Sequence, residues 1–595
     1  MLPVFAVGTP TVAGSQLIGV KHEFKVFVVS KPKMSKRIEN LIVEQRESNL
    51  KYKNASSAVA ASKYDQDILY SYLRSEGYYQ GTVDSKIRDA VIAHQVNTGP
   101  AFTLKDVIYD WPDNVTRPPE SVFGMALGDR LDSSKVLKGL DAIRDWVAEN
   151  HCLRTVDVSY EATVHHPSQT ASVLIRLAPS PQVNFGAVSF SGEQTIERQY
   201  LNLFMGFKEG ECFKTRTLDN TRIKLLQTNL LANVDPQLGD ITAQGTVPIN
   251  FRLTERKQRS IGGGLGYDTD TRTQISGSWQ HRNLLGSGEQ LSLDVVYGEL
   301  TQSFESEVVV PYFKSDKQRL TLRAILAQEA PEAYEVQKGE FSITLKRDLT
   351  QSISANVGVR NIFSRVKEEQ YESEDDYALV GFPVGLDFNS RNDELNPTRG
   401  IAAGMQIEPF TDMYETDRQF TRTSLTGSVY LSALKWRLQP TLALRLATGT
   451  IEGSSLEGVP KDQRFYTGGG GSVRGYSYQS VGPRVDGIPT GGLAFSLTAI
   501  ELRTRFSESF GMAIFADGGN TYSTKSPKFG EDYLWGAGIG LRYYTAFAPF
   551  RFDIAMPLNA RESVDAVLDA NGEILHPSYR ADDSVQIYIS IGQAF

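Results

Sequence analysis

One glycine-rich stretch of this sequence, YTGGGGSVRGYSYQ at 466–479, has the residue types to bind a phosphate. A P-loop, however, needs lysine and then serine or threonine after its last glycine. Here Gly471 is followed by Ser472, Val473 and Arg474, which excludes a P-loop. The residues at 480–492, SVGPRVDGIPTGG, cannot begin the helix that a dinucleotide site requires. The dense tyrosines favour a packed segment, and a flexible loop is the alternative.

Other residue types that catalyse reactions or bind metals lack the necessary spacing. No GxSxG sequence is present, and His165 and His166 stand beside a proline in what we expect to be a solvated turn. The two cysteines, Cys152 and Cys212, are far apart and lack CxxC spacing. We expect them to be inert thiols, with a disulfide as the alternative. The sequence therefore predicts a protein that is not an enzyme and that needs no cofactor and no metal.

The composition favours a large protein rich in β-structure. The chain has 595 residues, a net charge of −8, 51 glycines, 29 phenylalanines and 26 tyrosines. Its acidic balance argues against nucleic-acid binding, and its length predicts several domains. No segment approaches the roughly 18 apolar residues of a transmembrane helix. Residues 1–22 are apolar but lack a basic segment, so we interpret them as a leader or a disordered N-terminus.

The N-terminal part of the sequence repeats one order of elements: strand, helix, helix, strand, strand. In the first copy, Leu69 and Leu73 lie on one face of a helix that ends near Gly77, a residue suited to a helix end. The second copy has a comparable helix with Leu140 and Val147. Repeats of this kind set the domain organisation. We predict three α/β domains, at 23–100, 101–181 and 182–257.

The period of the apolar residues changes to two after residue 258. In RLTLRAILA, at 319–327, Leu320 and Leu322 alternate with Arg319 and Arg323. Charges inside otherwise apolar strands of about ten residues are typical of a barrel with lipid outside and water inside. We therefore predict a transmembrane antiparallel β-barrel of about 16 strands at 258–595. The candidate strands are 259–268, 271–281, 290–299, 302–312, 318–328, 338–347, 350–365, 376–390, 399–409, 419–433, 436–450, 491–506, 509–521, 532–544, 548–557 and 584–595.

Several motifs of this C-terminal part resemble the superfamily of outer-membrane assembly factors that includes BamA and TamA. The segment RFYTGGGGSVRGYSYQSVGP (464–483) is similar to the family's long loop. DFNSRNDELNPTRG (387–400) resembles a strand and turn of the family, and FADGG (515–519) resembles its F-x-D-x-G strand. The chain closes in QIYISIGQAF, as the family's last strand closes in phenylalanine, and the α/β domains resemble POTRA domains. The family's VRGY-type loop motif falls on Val473, Arg474, Gly475 and Tyr476.

The resemblance implies how the long loop, residues 452–490, is placed. It would fold back into the barrel lumen, where Arg474 would meet the carboxylates of Glu501 and Asp517. Further partners facing the lumen would be Asp387 and Arg391. The alternative is that these charges only stabilise the barrel.

Strand alternation fits this interpretation poorly at Glu501. Leu493, Phe495 and Leu497 share its register, whereas lumenal positions of a barrel are expected to be polar. We therefore predict a β-bulge near Thr498–Ala499, which would shift the register.

The first and last barrel strands form a second candidate site, a lateral seam. Glycine weakens a strand, and the first strand contains Gly262, Gly263, Gly264 and Gly266. Its neighbour by closure would be the last strand, with Ile591, Gly592 and Phe595. A weak seam could open and offer its edges to a client strand. The alternative is that the small residues let the loop pack closely.

The family resemblance suggests a protein that inserts or exports β-barrel and autotransporter-type clients in the outer membrane of a Gram-negative bacterium. Three modules, predicted to lie in the periplasm, are similar to the TamA-type members of the family. The partners implied are an inner-membrane-anchored periplasmic protein of the TamB type, unfolded outer-membrane clients and membrane lipid, and no nucleic acid. The alternative is a polypeptide export pore of the two-partner-secretion type, and a passive porin is a third possibility.

Overall fold

Three small sheets with the same strand order occupy the N-terminal part of the computed structural model. In each sheet the last strand of the repeat lies in the middle and runs parallel to the first. The structure describes residues 23–28, 34, 37–38, 55–88, 91–268, 272–368, 373–433, 436, 438–545, 549–563, 567–568, 574–576 and 581–591. The predicted leader at 1–22 lies outside these residues.

Each of the three modules combines its sheet with helices. The first contains β1 (Glu23–Val28), α1 (Ala55–Ser75), β2 (Thr82–Arg88) and β3 (Val91–Asn97). The second contains β4 (Thr103–Asp110), α2 (Glu120–Phe123), α3 (Ser133–Asn150), β5 (Val158–His165) and β6 (Thr170–Leu177). The third contains β7 (Asn184–Ser191), α4 (Arg198–Asn202), α5 (Thr215–Gln227), β8 (Leu231–Leu238) and β9 (Thr246–Glu255).

Apolar stripes and capping residues explain why these segments are helical. Leu69 and Leu73 of α1 are buried in the first module's core with Val96 of β3. At the start of α3, the carboxylate of Asp132 accepts hydrogen bonds from the backbone N–H groups of Ser134 (2.9 Å) and Lys135 (3.3 Å). It thereby satisfies donors that a helix N-terminus leaves without partners.

A disulfide joins the second and third modules, so the expectation of two inert thiols is wrong. Cys152 follows α3, Cys212 precedes α5, and their Cα atoms lie 5.1 Å apart. Beside the bond, the backbone N–H of Val183 donates to the carbonyl of Cys152 at 2.7 Å. Sequence spacing could not reveal this pair, because 60 positions separate two residues that only the module joint brings together.

The chain divides into two compact units, and the second contains one large antiparallel sheet. The first unit comprises Met1–Gly192, Phe204–Leu226 and Asn233–Leu253, and the second Glu193–Leu203, Gln227–Ala232 and Thr254–Phe595. In sheet order the strands are β10 (Arg259–Asp268), β11 (Arg272–His281), β12 (Gln290–Gly298), β13 (Thr301–Pro311), β14 (Gln318–Glu329), β15 (Glu335–Asp348), β16 (Ile353–Glu368), β17 (Ser373–Gly381), β18 (Val384–Asn389), β19 (Gly400–Asp412), β20 (Gln419–Ser432), β21 (Thr441–Glu452), β24 (Ala494–Arg505), β25 (Phe510–Tyr522), β26 (Leu534–Tyr544), β27 (Pro549–Pro557) and β30 (Gln586–Ile591). Two short hairpins, β22 (Arg484–Val485) with β23 (Ile488–Pro489) and β28 (Val567–Leu568) with β29 (Ile574–His576), stand apart.

The seventeen strand segments of this sheet correspond to sixteen positions. Strands β17 and β18 both pair with β16 and with β19, so they are two halves of one strand. The break falls at Phe382 and Pro383, where proline has no N–H to donate to a ladder. Counted once, this interrupted strand brings the sheet to the number that the sequence predicts.

One predicted strand begins later than expected. The alternation suggested a strand from Trp436, but β21 begins at Thr441. Gln439 has a positive φ of 44° and Pro440 follows it, so neither residue suits a strand. The apolar Trp436 and Leu438 therefore belong to the turn before β21, and both are exposed.

The two faces of the sheet differ in polarity. In β27, Phe550, Phe552 and Ile554 are exposed, whereas the alternating Arg551 and Asp553 are buried. The same alternation of exposure occurs in β24 and β25, so the sheet has an apolar exposed face and a polar face that is enclosed in this region. Among the described residues, none of the helices combines the length and the apolar character needed to cross a membrane.

The first and last strands of the sheet come close together. Strands β10 and β30 approach within 8 Å between Cα atoms, although they stand at opposite ends of the strand order. Within Arg259–Asp268 and Gln586–Ile591, no ladder of hydrogen bonds joins them. In the described part of the sheet, β10 thus pairs only with β11, and β30 only with β27.

Candidate functional site

The connection between β21 and β24, residues 453–493, folds over the polar face of the sheet as an ordered loop. It contains a short 3-10 helix at Lys461–Gln463 and the β22–β23 hairpin. Thr467 and Val481 hold its two arms together, since the backbone N–H of Val481 donates to the carbonyl of Thr467 at 2.8 Å. Val473 and Val481 are buried against Ala447 and Leu497 of the sheet. The loop is therefore a packed element with its own core.

Glycines let this loop approach the sheet at backbone distance. Gly475 has a φ of 102°, and a Cβ built there would lie 2.7 Å from the carbonyl oxygen of Met556. On the sheet, a Cβ at Gly536 would lie 1.8 Å from the carbonyl oxygen of Arg474. A side chain at either position would push the loop away from the wall.

The guanidinium of Arg474 lies at the centre of a buried ion cluster. Nε and Nη2 donate to the two carboxylate oxygens of Asp517 at 2.6 and 3.0 Å, a bidentate pair. Nη1 donates to Glu501 at 2.8 Å and to Asp553 at 3.1 Å. The guanidinium carbon also lies 3.4 Å from the ring centroid of Phe515. Only 1% of Arg474 is exposed, so the structure brings this arginine onto both carboxylates that the family resemblance suggested.

Further charges of the sheet complete the cluster, and the sequence interpretation missed them. Arg503 donates to Glu501 at 2.7 Å, Arg542 pairs with both Glu501 and Asp553, and Arg551 lies 3.4 Å from Asp553. The alternating sequence FRFDIAM (550–556) carries the missing signal. Polar residues that alternate with Phe and Ile face the enclosed side.

The predicted bulge near Thr498–Ala499 is absent, and this part of the interpretation is wrong. Strand β24 pairs with β21 and with β25 in an unbroken register across these residues. Leu497 does share the enclosed face with Glu501, but it is covered by Val473 and Val481 of the loop. The loop gives the enclosed face an apolar region, so no register shift is needed.

Asp387 and Arg391 do not contact the loop arginine. Asp387 pairs with Lys346 at 3.4 Å, and Nε of Arg391 donates to Asn389 at 3.1 Å. Both line a cavity that the loop reaches only at Gly471. Their predicted partnership with Arg474 is therefore replaced by contacts within the sheet and its turn.

The rest of the VRGY-type motif contacts the last strand. The hydroxyl of Tyr588 in β30 accepts a hydrogen bond from the backbone N–H of Gly475 at 3.1 Å and donates to the carbonyl of Tyr476 at 3.3 Å. The hydroxyl of Tyr476 donates to Asn559 at 3.1 Å. Nε2 of Gln586 donates to the hydroxyl of Ser477 at 3.1 Å. The loop is therefore bonded to a strand at the end of the sheet.

The glycines of β10 lie at the other end of the sheet. Cβ atoms built at Gly262 and Gly264 would meet the hydroxyls of Ser278 and Ser276 in β11, and those at Gly263 and Gly266 would also meet β11. None of these close approaches involves the loop, so the alternative of close loop packing finds no support at these glycines. On the face opposite Gly262, Gly264 and Gly266, Ile261 and Leu265 are 85% and 84% exposed.

At the end of β30, the candidate residues are described only in part. The backbone of Ile591 pairs with Phe550 of β27. Gly592 and Phe595 lie outside the described residues.

One arrangement resembles a catalytic triad, but it is closed to substrate. In the first module, Ser85 Oγ lies 2.7 Å from Nδ1 of His94, and Nε2 of His94 lies 3.1 Å from Asp65. All three residues are buried, and Gln66 donates to the same Ser85 hydroxyl. This network joins α1 to the sheet as a satisfied polar core. No group of three or more potential metal ligands occurs in the part of the chain that the structure describes.

Comparison with known proteins identifies a family for the region that contains most of the large sheet and the loop. The model of the Omp85 superfamily domain matches residues 283–595. Among curated relatives, the outer membrane protein assembly factor BamA of Nitratidesulfovibrio vulgaris is 23% identical over 391 residues, which are 64% of this chain and 49% of the relative. BamA of Neisseria meningitidis serogroup B is 21% identical over 477 residues, 68% of this chain and 58% of the relative. The chain spans about half the length of these relatives.

A solved structure agrees with the sheet. The crystal structure of BamA from Haemophilus ducreyi lacking POTRA domains 1–3 superposes with a TM-score of 0.67 at 17% identity. The match covers 83% of this chain and 100% of that structure. At this identity the likeness shows the fold alone. Because the family model covers more than half of the sequence, from the turn before β12 to the last residue, the chain belongs to the Omp85 superfamily.

Proposed function

We propose that this protein assembles client proteins in the outer membrane of a Gram-negative bacterium through a seam between β10 and β30. One observation carries the proposal: the two end strands of the large sheet lie side by side without a described ladder between them. A sheet with its apolar face toward lipid must satisfy every backbone group. Two such edges can therefore accept an incoming client strand by β-augmentation.

The buried loop would hold the enclosed side of this seam. Its motif residues bond to Tyr588 and Gln586 of β30, while Arg474 joins it to the inner charges of the sheet. Movement of β30 would break these bonds. The loop thus has the contacts to couple the state of the seam to that of the lumen, and Arg474→Ala is expected to leave a folded barrel with impaired assembly.

The three N-terminal modules would be periplasmic POTRA domains that deliver unfolded clients, including autotransporter-type proteins. Three modules are similar to the TamA-type members of the family, for which the partner would be a TamB-type protein anchored in the inner membrane. The large sheet would close as a barrel in contact with membrane lipid. The relatives named above are described as outer membrane protein assembly factors, which supports this location and role.

A disulfide lock tests the seam. One cysteine is introduced on β10 and one on β30, at positions scanned along both strands, and cross-linking is driven by an oxidant. The control pair is Gly277→Cys with Val295→Cys, which are direct partners in the adjacent ladder of β11 and β12. We expect the seam lock to stop insertion of clients and a reductant to restore it. Cross-linking of the control pair should leave insertion unchanged. Client assembly by fully locked protein would rule out lateral opening.

The same cells distinguish the alternative of an export pore. The readout is where clients accumulate after depletion and re-expression of the protein. Accumulation in the outer membrane supports assembly, whereas release into the medium supports export through the lumen. In the structure the buried loop occupies the polar face, so export would require its displacement.

A further inference from the structure

A basic cavity lies on the enclosed face near the ends of β12, β13 and β14. It has a volume of about 570 Å³ and is lined by Arg256, Arg282 and Arg319 together with the tyrosines Tyr200 and Tyr312. Its remaining lining residues are apolar or neutral, and no carboxylate is among them. This is unusual in a chain with 70 acidic and 62 basic residues.

The three arginines have no acidic partners in the described part of the chain. Arg256 donates through Nε to the carbonyl of Leu231 at 3.0 Å, and Arg282 donates to Gln280 at 3.1 Å and Ser260 at 3.2 Å. By contrast, Arg323, which lies four residues beyond Arg319 on the same face of β14, forms a bidentate pair with Glu305. All three guanidinium nitrogens of Arg282 donate within the chain, the third to the carbonyl of Lys257 at 3.4 Å. Arg256 donates through Nε alone, so its two terminal nitrogens are the donors left for an anion, with the guanidinium of Arg319 beside them.

The sheet residues that line the cavity belong to the polar face and not to the apolar face. Along β14, Arg319 alternates with the exposed Leu326, and along β13 Val309 alternates with the exposed Phe304. Residues of opposite parity point to opposite faces of a sheet. A lipid headgroup on the apolar face is therefore on the wrong side of the sheet for Arg319, whereas a chain on the polar face can reach it.

Arg319 also links this cavity to a larger one. The second cavity, of about 720 Å³, is lined by Arg319, Lys346, Arg391 and Arg445 and reaches Gly471 of the loop. It contains carboxylates as well, including Asp387. The two cavities therefore share Arg319, and the second one reaches the loop.

We propose that the cavity of Arg256, Arg282 and Arg319 binds carboxylate groups of an extended polypeptide, from acidic side chains or a C-terminus. Arginine matches the two oxygens of a carboxylate with two parallel hydrogen bonds. The inference rests on the proposed handling of polypeptide clients and adds the chemistry that this site selects. The proposed role of these arginines is to bind a carboxylate, since no carboxylate lines the cavity.

Peptide binding to the full chain in detergent micelles tests the proposal. The probes are a fluorescent glutamate-rich peptide with a free C-terminus and the same peptide with glutamine in place of glutamate and an amidated C-terminus. We expect the acidic peptide to bind at least tenfold more tightly, and Arg319→Gln to weaken it about tenfold, equivalent to about 1.4 kcal/mol. The matched control is Arg347→Gln, because Arg347 is the cross-strand partner of Gln318 and therefore lies at the same level of the sheet on the face opposite to Arg319.

Equal affinity for the two peptides, or equal losses in Arg319→Gln and Arg347→Gln, would overturn the proposal. So would retention of an anionic phospholipid that depends on Arg319 while the two peptides bind alike. The binding assay is independent of client assembly in cells. If the seam lock leaves assembly intact while the peptides are still distinguished, the proposed seam fails and the carboxylate site stands. If assembly depends on the seam while the two peptides bind alike, the proposed seam stands and the carboxylate site fails.

Discussion

Removing the guanidinium of Arg474 should release the loop from the sheet. Asp517 accepts a bidentate pair of hydrogen bonds from Arg474 at 2.6 and 3.0 Å, and both residues are almost fully buried. Arg474→Ala would leave Asp517 as a buried carboxylate that has lost its bidentate partner. Breaking a buried ion pair from one side costs about 3–5 kcal/mol. The open fraction of the loop should therefore rise by about 100- to 3,000-fold.

Thiol labelling of a buried loop position measures this fraction. Val481→Cys places a thiol at a side chain that is 1% exposed, and within the described residues no native thiol competes because Cys152 and Cys212 are bonded to each other. When the loop recloses faster than the reagent reacts, the labelling rate follows the open population. We expect Arg474→Ala to accelerate labelling at least 100-fold while the β-sheet signal in circular dichroism is retained.

Two further variants distinguish the effect of breaking the ion cluster from the effect of losing any positive charge on this face. Arg391→Ala removes an arginine of the same face that does not contact Arg474, and it should leave labelling unchanged. Adding Asp517→Asn to Arg474→Ala removes the orphaned carboxylate and should recover part of the lost protection. If Arg474→Ala changes the labelling rate less than about threefold, the cluster does not hold the loop and the reasoning is refuted.

Three other changes test separate contacts. Tyr588→Phe removes the acceptor of the Gly475 N–H, so loop labelling should accelerate by about 5- to 30-fold, as expected for about 1–2 kcal/mol; an unchanged rate would show that β30 does not hold the loop. Cys152→Ser opens a disulfide across 60 positions and should destabilise the modules by about 4 kcal/mol in denaturant unfolding, whereas an unchanged midpoint would contradict this. Burial raises the pKa of Glu255, but hydrogen bonds from the backbone N–H groups of residues 194–196 outweigh it, so its pKa is lowered. The carboxylate's stabilising effect is present above the unfolded pKa and is lost as pH falls through the folded pKa. The difference in unfolding free energy between the native protein and Glu255→Gln should therefore disappear at low pH. A difference that persists at low pH would refute this.

The alternation of apolar and polar residues correctly predicted which face of the sheet many strand residues lie on. The alternation in β14 puts Arg319 and Arg323 on the face opposite the exposed Leu326. The same rule misplaced the start of β21, because Trp436 and Leu438 continue the apolar pattern through a turn. Alternation reports which side a residue would face in a strand. It does not report whether the backbone at Gln439 and Pro440 can extend.

Long-range contacts explain what the sequence interpretation missed at the cluster. Arg474, Glu501 and Asp517 came from motifs, so only the charges inside those motifs were assigned. Arg542 and Asp553 lie on β26 and β27, and the consecutive pairing of β24 to β27 in the sheet brings them to the same site. Cys152 and Cys212 illustrate the same limit in the modules. Distance along the chain carries no information on a pair that a domain joint brings together.

The failed bulge near Thr498–Ala499 identifies the physical reason most clearly. The rule that lumenal positions are polar assumes that water fills the lumen. Leu497 instead faces Val473 and Val481 of the loop, so an enclosed apolar core stands in place of water. Four residues after Leu497, the same face carries Glu501, whose charge is balanced by Arg474 of the same loop. A single inserted element therefore accounts for both the apolar and the charged residues in one register of β24. Expelling the loop would expose the leucine to water and leave the glutamate with the sheet arginines alone, so the sequence of β24 is adapted to the loop in place.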